Sequence, residues 1–349
     1  MTLAMREPGS GGQEQDRRDS VLADSMGRRA RKLRIQVTDR CNYRCDFCMP
    51  EDPIWLRRAE VLTFEETARI TGILADMGVE TVRLSGGEPL VRRDVEKLVR
   101  LLADTPGIKS VSLTTNGSLL KEKAKPLKEN GLNGVTVSIH SLRPERYGKL
   151  TGTSDVLPRV FEGLREARAV GLRPLKVNCV IMRGKNDDEI PDFVNFAHEQ
   201  QVCVRFIEYM PFDGKRFWDV ENVLSGGEIA RRASEKFELI PKPREPGATA
   251  SLFTFADGTR GAIGIIESMT KPFCRDCDRI RLTADGRIVP CLFSRNEFDV
   301  RRLLRNGATD EEVSSFIRKS FWLKSAGVES MIKQNVEFGR VRPMYTIGG

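Results

Sequence analysis

The sequence predicts an α/β protein: an incomplete (β/α)6 barrel of TIM type followed by a smaller α+β module. Three observations predict it. Six short β-branched runs recur between residues 32 and 210, amphipathic stretches of helical period separate them, and the rhythm changes after about residue 213. A strand followed by a helix, repeated, is the pattern of a parallel sheet. An open α/β sheet would carry the same pattern. At 349 residues and 40% apolar, the chain can bury a sizeable core in one large domain or two linked ones.

The elements follow in order. Residues 1–23 are expected to be a disordered extension, since MTLAMREPGSGGQEQDRRDS is polar and glycine-rich. Residues 24–212 are assigned to the barrel. Its strands are KLRIQVT (32–38), TVRLSGG (81–87), VSLTTNG (111–117), GVTVSIH (134–140), LKVNCVIM (175–182) and VRFIEYM (204–210). FEETARITGILADMG, VEKLVRLLADT and VLPRVFEGLREARAVG between them have helical periodicity. Residues 213–349 make the smaller module. Within it PKPREPGATA (241–250) reads as a linker or long loop. SLFTFADGTRGAIGIIES reads as a hairpin around Asp257-Gly258, and residues 280–293 as another turning at Asp285-Gly286. Helical patterns then run to about residue 325.

Barrels and open α/β sheets both gather ligands at the C-terminal ends of their strands. Here each such region carries polar or metal-capable groups. The loop after the first strand holds Cys41, Cys45 and Cys48; the second strand ends at Ser85–Pro89. Thr114, Asn116 and Gly117 end the third, Ser138 and His140 the fourth, Asn178 lies within the fifth, and Glu208–Met210 close the sixth. One polar strand end is ordinary in a turn. Six at one mouth point to a site.

Composition narrows the chemistry. A net charge of +8 fits either a solvated basic surface or a concave pocket for a polyanion such as a nucleotide. No apolar run of membrane-spanning length and no apolar leader exist, so a cytoplasmic, membrane-free protein is expected. In that setting eight cysteines favour metal or redox chemistry over disulfides. Only two histidines, His140 and His198, argue against a His-based zinc hydrolase or a mononuclear iron oxygenase.

Six of the cysteines form two trios. Cys41, Cys45 and Cys48 have C-x3-C-x2-C spacing; Cys274, Cys277 and Cys291 have C-x2-C-x13-C spacing, with a hairpin that folds the last one back. Cys179 and Cys203 lie within apolar strand patterns and read as packing residues. Zinc is the plain reading of a CxxC, but it would need a fourth ligand that neither loop supplies. Thiolates also hold iron–sulfur clusters, normally through four cysteines. Three cysteines on a four-iron cluster would leave one iron open to a substrate or cofactor.

The first trio, with Phe47 before its last cysteine and its place after the first strand, resembles the signature of the radical S-adenosylmethionine superfamily. RLSGGEP (83–89) resembles that superfamily's second motif. Together with CMP (48–50), TTNG (114–117), RFIEYMP (205–211) and FCRDCDRIRLTADGRIVPCLF (273–293), these segments resemble the GTP 3′,8-cyclase family. That family performs the first step of molybdenum cofactor synthesis. The likeness runs from about Asp24 to the terminal glycines.

The resemblance implies two [4Fe–4S] clusters, one on Cys41, Cys45 and Cys48, the other in the C-terminal module on Cys274, Cys277 and Cys291. It implies S-adenosylmethionine against Phe47, Gly87, Ser138 and Met210. GTP would meet Arg34, Arg83, Thr114, Lys176, Arg279 and Arg281, with backbone around Ile280, and its base would face the second cluster. A 5′-deoxyadenosyl radical would take the ribose 3′-hydrogen, and the carbon radical would attack C8 of the same guanine. Gly348 and Gly349 would enter the active site and assist catalysis. A homodimer, an electron donor and a downstream pterin-forming enzyme are also implied.

The residues support the cationic part independently. Arg34, Arg83 and Lys176 lie within apolar strand runs, where an unpaired charge is costly. Arg279 and Arg281 share the two-residue period of a strand face. Two departures from the family stand out: Thr81 where a lysine is common, and Ser138-Ile139-His140 where SLD is usual. Two rivals remain. One is a radical peptide maturase with an auxiliary cluster, whose common C-terminal extension is richer in cysteine. The other is a zinc-containing nucleic-acid-binding protein, against which the 7% aromatic content and the lack of a base-stacking motif argue.

Overall fold

A computed structural model describes residues 21–212, 218–294, 296–328 and 343–348. Strands β1 (Lys32–Gln36), β2 (Thr81–Ser85), β3 (Ser110–Thr115), β4 (Gly134–Ser138), β5 (Leu175–Ile181) and β6 (Cys203–Glu208) pair in chain order, all parallel. Between them run α1 (Phe64–Asp76), α2 (Val95–Ala103), α3 (Leu120–Glu129), α4 (Pro144–Thr151), α5 (Leu157–Ala169) and α6 (Ile190–Glu199). The six βα units expected from the sequence are present.

Strand alternation separates core from cavity. Leu33 and Ile35, Val82 and Leu84, Val111 and Leu113, and Val135 and Val137 are buried in one hydrophobic cluster with Ile70, Leu74, Leu98 and Leu127 of the helices. The residues between them in sequence (Arg34, Arg83, Ser112, Thr136) belong to the opposite, polar face. Local signals start the helices where they are needed. Thr63 and Glu66 form a reciprocal cap at α1: the Glu66 amide donates to Thr63 Oγ1 at 3.1 Å and the Thr63 amide donates to Glu66 Oε2 at 2.8 Å.

The C-terminal residues give α7 (Gly226–Ala233), β7 (Leu239–Pro241), β8 (Ser251–Phe255), β9 (Ala262–Ile266), β10 (Arg279–Leu282), β11 (Arg287–Val289), β12 (Phe298–Asp299), α8 (Val300–Arg305) and α9 (Asp310–Trp322). Both expected hairpins form. β8 pairs antiparallel with β9 and β10 with β11, and Gly258 (φ 80°) and Gly286 (φ 74°) take the left-handed turn positions.

Their placement goes beyond the sequence reading. β9 docks parallel to β6, and β10 docks parallel to β1. One twelve-stranded sheet results, in the order β12-β11-β10-β1-β2-β3-β4-β5-β6-β9-β8-β7. The sheet is mixed and open; it does not close into a barrel. The strands of the smaller C-terminal module lengthen both edges of the parallel sheet. At the N-terminus Leu22 is fully buried, and its amide donates to Met77 O at 2.9 Å. Residues 1–20 lie outside the described residues.

Candidate active site

A cavity of about 660 Å³ occupies the concave side of the sheet, and all six trio cysteines line it. The first trio is held locally. The Arg44 amide donates to Thr151 O at 2.9 Å and the Asp46 amide to Leu150 O at 3.3 Å, which pins the loop to the end of α4. The Arg44 guanidinium donates to Cys41 O and Tyr43 O at 2.9 Å each.

GGEP lies against the start of this loop. The Gly87 amide donates to Thr38 O at 2.8 Å and the Glu88 amide to Arg40 O at 2.8 Å. A Cβ on Gly86 would fall 2.6 Å from Thr38 O, and one on Gly87 would fall 2.4 Å from Arg40 O. The glycines therefore permit a backbone approach that no larger residue allows. Buried Glu88 then ties β2 to β3 by accepting from Thr115 Oγ1 (2.6 Å), the Asn116 amide (2.6 Å) and the Leu90 amide (3.0 Å). Burial pushes its carboxyl up to about 7 against those donors.

The second trio is held by distant chain. Arg28 Nη1 donates to Cys274 O at 2.9 Å, and Lys324 Nζ donates to Cys277 O (3.0 Å) and Arg279 O (2.8 Å). Gly327 (φ 117°) packs so closely that a Cβ there would fall 2.3 Å from Cys274 Sγ. The electrostatics of the trios differ. Burial pushes the Cys41 thiol up to about 11 and the Cys48 thiol up to about 12. Burial also acts upward on Cys277, but Arg279 and Lys324 outweigh it and bring that thiol down to about 6.

Both trios suit iron–sulfur ligation. The donors are all sulfur, the thiols of each trio interact electrostatically, and each trio faces the cavity. A single tetrahedral zinc would draw its sulfurs to about 2.3 Å from one point. Among the described residues no three His, Cys, Asp or Glu side chains form such a group.

The polar sheet face is a floor of cations. Arg281, Arg34 and Arg83 stand in register across β10, β1 and β2; Arg279, Lys32 and Thr81 form the neighbouring row. Lys176 on β5 and Arg205 on β6 extend the floor. Arg83 donates to Thr136 Oγ1 (3.0 Å) and Thr114 Oγ1 (3.4 Å), and Arg205 donates to Asn178 Oδ1 (2.9 Å). Among the described residues none of Arg34, Arg83, Lys176, Arg205, Arg279 and Arg281 forms an ion pair with a carboxylate. Burial, then repulsion from Arg281, Arg279, Arg83 and Arg205, holds Arg34 well below the usual arginine range. Burial brings Arg83 and Arg281 down to about 10. Cations held so closely without acids call for a polyanion.

The remaining expected residues fall as follows. Phe47, Gly87, Ser138 and Met210 line the cavity, and Met210 packs in the cluster that also takes in Cys274 and Cys291. Ile280 is fully buried on β10, so only its backbone is available to a ligand. Gly348 O accepts from Arg281 Nη1 at 3.0 Å, and Met344 of the same segment lines the cavity. Gly349 lies outside the described residues. Cys179 is fully buried, as expected, while Cys203 is half-buried beside Lys176 and Arg205.

Sequence reasoning missed four contributors. Arg205 was quoted only within a motif, although its alternation on β6 puts it on the polar face; Gly264 opposite makes room, since a Cβ there would meet Arg205 Cγ at 2.9 Å. Glu88 was likewise not singled out. Lys324 had no local signal. The segment Glu245–Ala250, read as a linker or loop, lines the cavity, with Gly247 O accepting from Lys32 Nζ at 3.1 Å.

Residues 35–197 match the Radical SAM superfamily model and residues 202–330 match Molybdenum Cofactor Synthesis C. The GTP 3′,8-cyclase of Aquifex aeolicus is 43% identical over 331 residues, covering 94% of this chain and 100% of that protein. The chain belongs to the GTP 3′,8-cyclase family. The mitochondrial GTP 3′,8-cyclase of Arabidopsis thaliana is 40% identical, over 94% of this chain and 84% of its own. Among solved structures, Streptococcus suis SuiB bound to S-adenosylmethionine shares the fold (TM-score 0.59, 16% identity), over 95% of this chain and 80% of that one. The enzyme is a radical S-adenosylmethionine lyase that cyclises GTP in molybdenum cofactor biosynthesis. No helix among the described residues is long and apolar enough to cross a membrane.

Proposed function

We propose that the cyclisation takes place in this one cavity, with S-adenosylmethionine at the first cysteine trio and GTP between the cationic floor and the second. The observation that carries this reading is the convergence on one space of two cysteine trios and six cations that have no carboxylate partner among the described residues. Cys41, Cys45 and Cys48 would hold one [4Fe–4S] cluster, and Cys274, Cys277 and Cys291 a second. When bound, the first cluster and S-adenosylmethionine supply an electron and the 5′-deoxyadenosyl radical that takes the ribose 3′-hydrogen.

The protein's own task is placement. Arg34, Arg83, Arg279 and Arg281 offer forked donors to the triphosphate, and Lys176 and Arg205 add charge from the far side of the floor. Lys32, beside Thr81 in register, is ion-paired with Asp278 at 2.8 Å. Thr114 orients Arg83, and the backbone at Ile280 fixes the Arg279–Arg281 pair. The base then faces the second trio and the ribose faces the first. Held in that pose, the 3′-carbon has C8 of the same guanine as its nearest partner, so proximity selects ring closure over side reactions. Phe47, Gly87, Ser138 and Met210 wall the S-adenosylmethionine end and keep water from it. Gly348 lies beside Arg281, and the Gly348–Gly349 tail would assist catalysis. Residues 24–212 and 213–349 serve as the two functional modules, though their strands share a sheet. A homodimer, an electron donor, a downstream pterin-forming enzyme and a cytoplasmic setting complete the reading.

Anaerobic purification with iron and sulfide analysis tests it, followed by incubation with GTP, S-adenosylmethionine and a reductant. The expected result is about eight irons per chain, with 5′-deoxyadenosine formed only when GTP is present. Stoichiometric zinc, or deoxyadenosine formation that needs a peptide and ignores GTP, would overturn it.

A further inference from the structure

His140 lies just past the end of β4, and the structure gives it a defined state. Its ring is nearly buried, 6% exposed, and lies edge-on to Phe47 with centroids 4.6 Å apart. Nδ1 accepts a hydrogen bond from the Val180 amide at 3.1 Å. An acceptor nitrogen carries no proton, so the ring proton of neutral His140 sits on Nε2. The residue is also held from behind: Asn186 Nδ2 donates to His140 O at 2.8 Å, and the Ile139 amide donates to Asn178 O at 2.9 Å. The ring is therefore fixed in both tautomer and direction.

Nε2 has no hydrogen-bond partner among the described residues. It is not sealed off either: the sealed, unpartnered side-chain atoms among those residues are Ser268 Oγ, Asp278 Oδ1 and Ser325 Oγ. The space His140 lines is the cavity, next to Phe47 and Ser138. A fixed N–H donor in a nearly dry wall is a specificity device, because a ligand that offers no acceptor leaves it unsatisfied.

We propose that His140 is a positioning residue for S-adenosylmethionine, with its Nε2–H donating to an acceptor on the adenosine part of that cofactor. The inference rests on S-adenosylmethionine occupying the end of the cavity at the first trio.

The test compares wild type, His140→Gln, which keeps a side-chain N–H donor, and His140→Leu, which does not. S-adenosylmethionine affinity is measured by equilibrium dialysis on anaerobically purified enzyme with its iron content verified, alongside thermal melting. His140→Leu is expected to bind S-adenosylmethionine about ten- to thirtyfold more weakly, with His140→Gln restoring most of the loss. A series of ring-deaza and deoxyribose analogues identifies the acceptor: the one lacking it binds wild type and His140→Leu alike. Wild type that fails to bind S-adenosylmethionine overturns the site reading itself. Wild type that binds it while His140→Leu binds equally well overturns only the role of His140, as does a loss that tracks melting temperature and that Gln does not rescue.

Discussion

The cysteine loop after β1 and the cysteine hairpin that includes β10 and β11 present the same donor set on different supports. The first places its three sulfurs within eight residues, Cys41 to Cys48, and is pinned by the neighbouring end of α4. The second spans Cys274 to Cys291 and depends on Arg28, Lys324 and Gly327, which come from both ends of the described chain. The first is an apolar setting in which burial opposes thiolate. The second sits beside Arg279 and Lys324, and Arg279 also belongs to the cationic floor. The difference matches two tasks. In the proposed reading the first site would hold the cofactor, and the second would share its electrostatics with a polyanionic substrate.

Removing one sulfur from each site should therefore give unlike enzymes. Cys45→Ala is expected to lower 5′-deoxyadenosine formation at least about a thousandfold. Cys277→Ala is expected to stop cyclisation yet leave slow S-adenosylmethionine cleavage and roughly half the iron. Equal loss of deoxyadenosine in both variants would break the comparison.

The next largest effect concerns the first site's neighbour. Burial lowers His140 to about 4 from its ordinary value near 6.5. The folded state thus binds fewer protons than the unfolded state between those values. Its stability should be whole above about pH 6.5 and fall as pH drops towards 4, by up to about 3 kcal/mol. Chemical denaturation of wild type and His140→Gln across that window should show a wild-type slope that the variant lacks.

Substrate contacts come third. Arg281→Ala and Arg205→Ala should each weaken GTP by about 1.5–3 kcal/mol, about ten- to a hundredfold, in equilibrium dialysis. Only Arg281→Ala should also alter the iron signals of the second site. Gly327→Ala adds a Cβ against Cys274 and strains a left-handed backbone at a cost of about 1–3 kcal/mol. Iron analysis should show partial loss, with S-adenosylmethionine binding retained. The smallest effect is expected from Arg34→Met. It relieves repulsion within the floor, so the ligand-free melting temperature should rise, by about 1 kcal/mol of stability, while stabilisation by GTP shrinks.

Much of this was legible in the sequence because it is periodic or local. Alternation along KLRIQVT and TVRLSGG separates core residues from Arg34 and Arg83, and the cysteine spacing survives without any fold. The turns at Asp257-Gly258 and Asp285-Gly286 were marked by their own residues. What the sequence hid depends on encounters across the chain. Nothing in AIGII announces that β9 will dock on β6, and nothing around Lys324 points to a carbonyl 47 residues away. The stretch 245–250 looked like a linker because proline, glycine and charge mark loops, and loops reveal nothing of which cavity they border. Arg205 was legible by the same alternation that revealed Arg34, but its motif drew attention to the residues after it.

The pairing of β1 with β10 carries a further consequence. Lys32 stands opposite Arg279 and Ile35 opposite Leu282, with one cysteine loop leaving the far end of β1 and the other ending just before β10 begins. Backbone hydrogen bonds between those two strands therefore act as a ruler between the two cysteine loops. A slip of two residues would keep every side chain on its proper face yet displace one loop from the other by about 7 Å. The distance between the two cysteine loops is thus written in strand register.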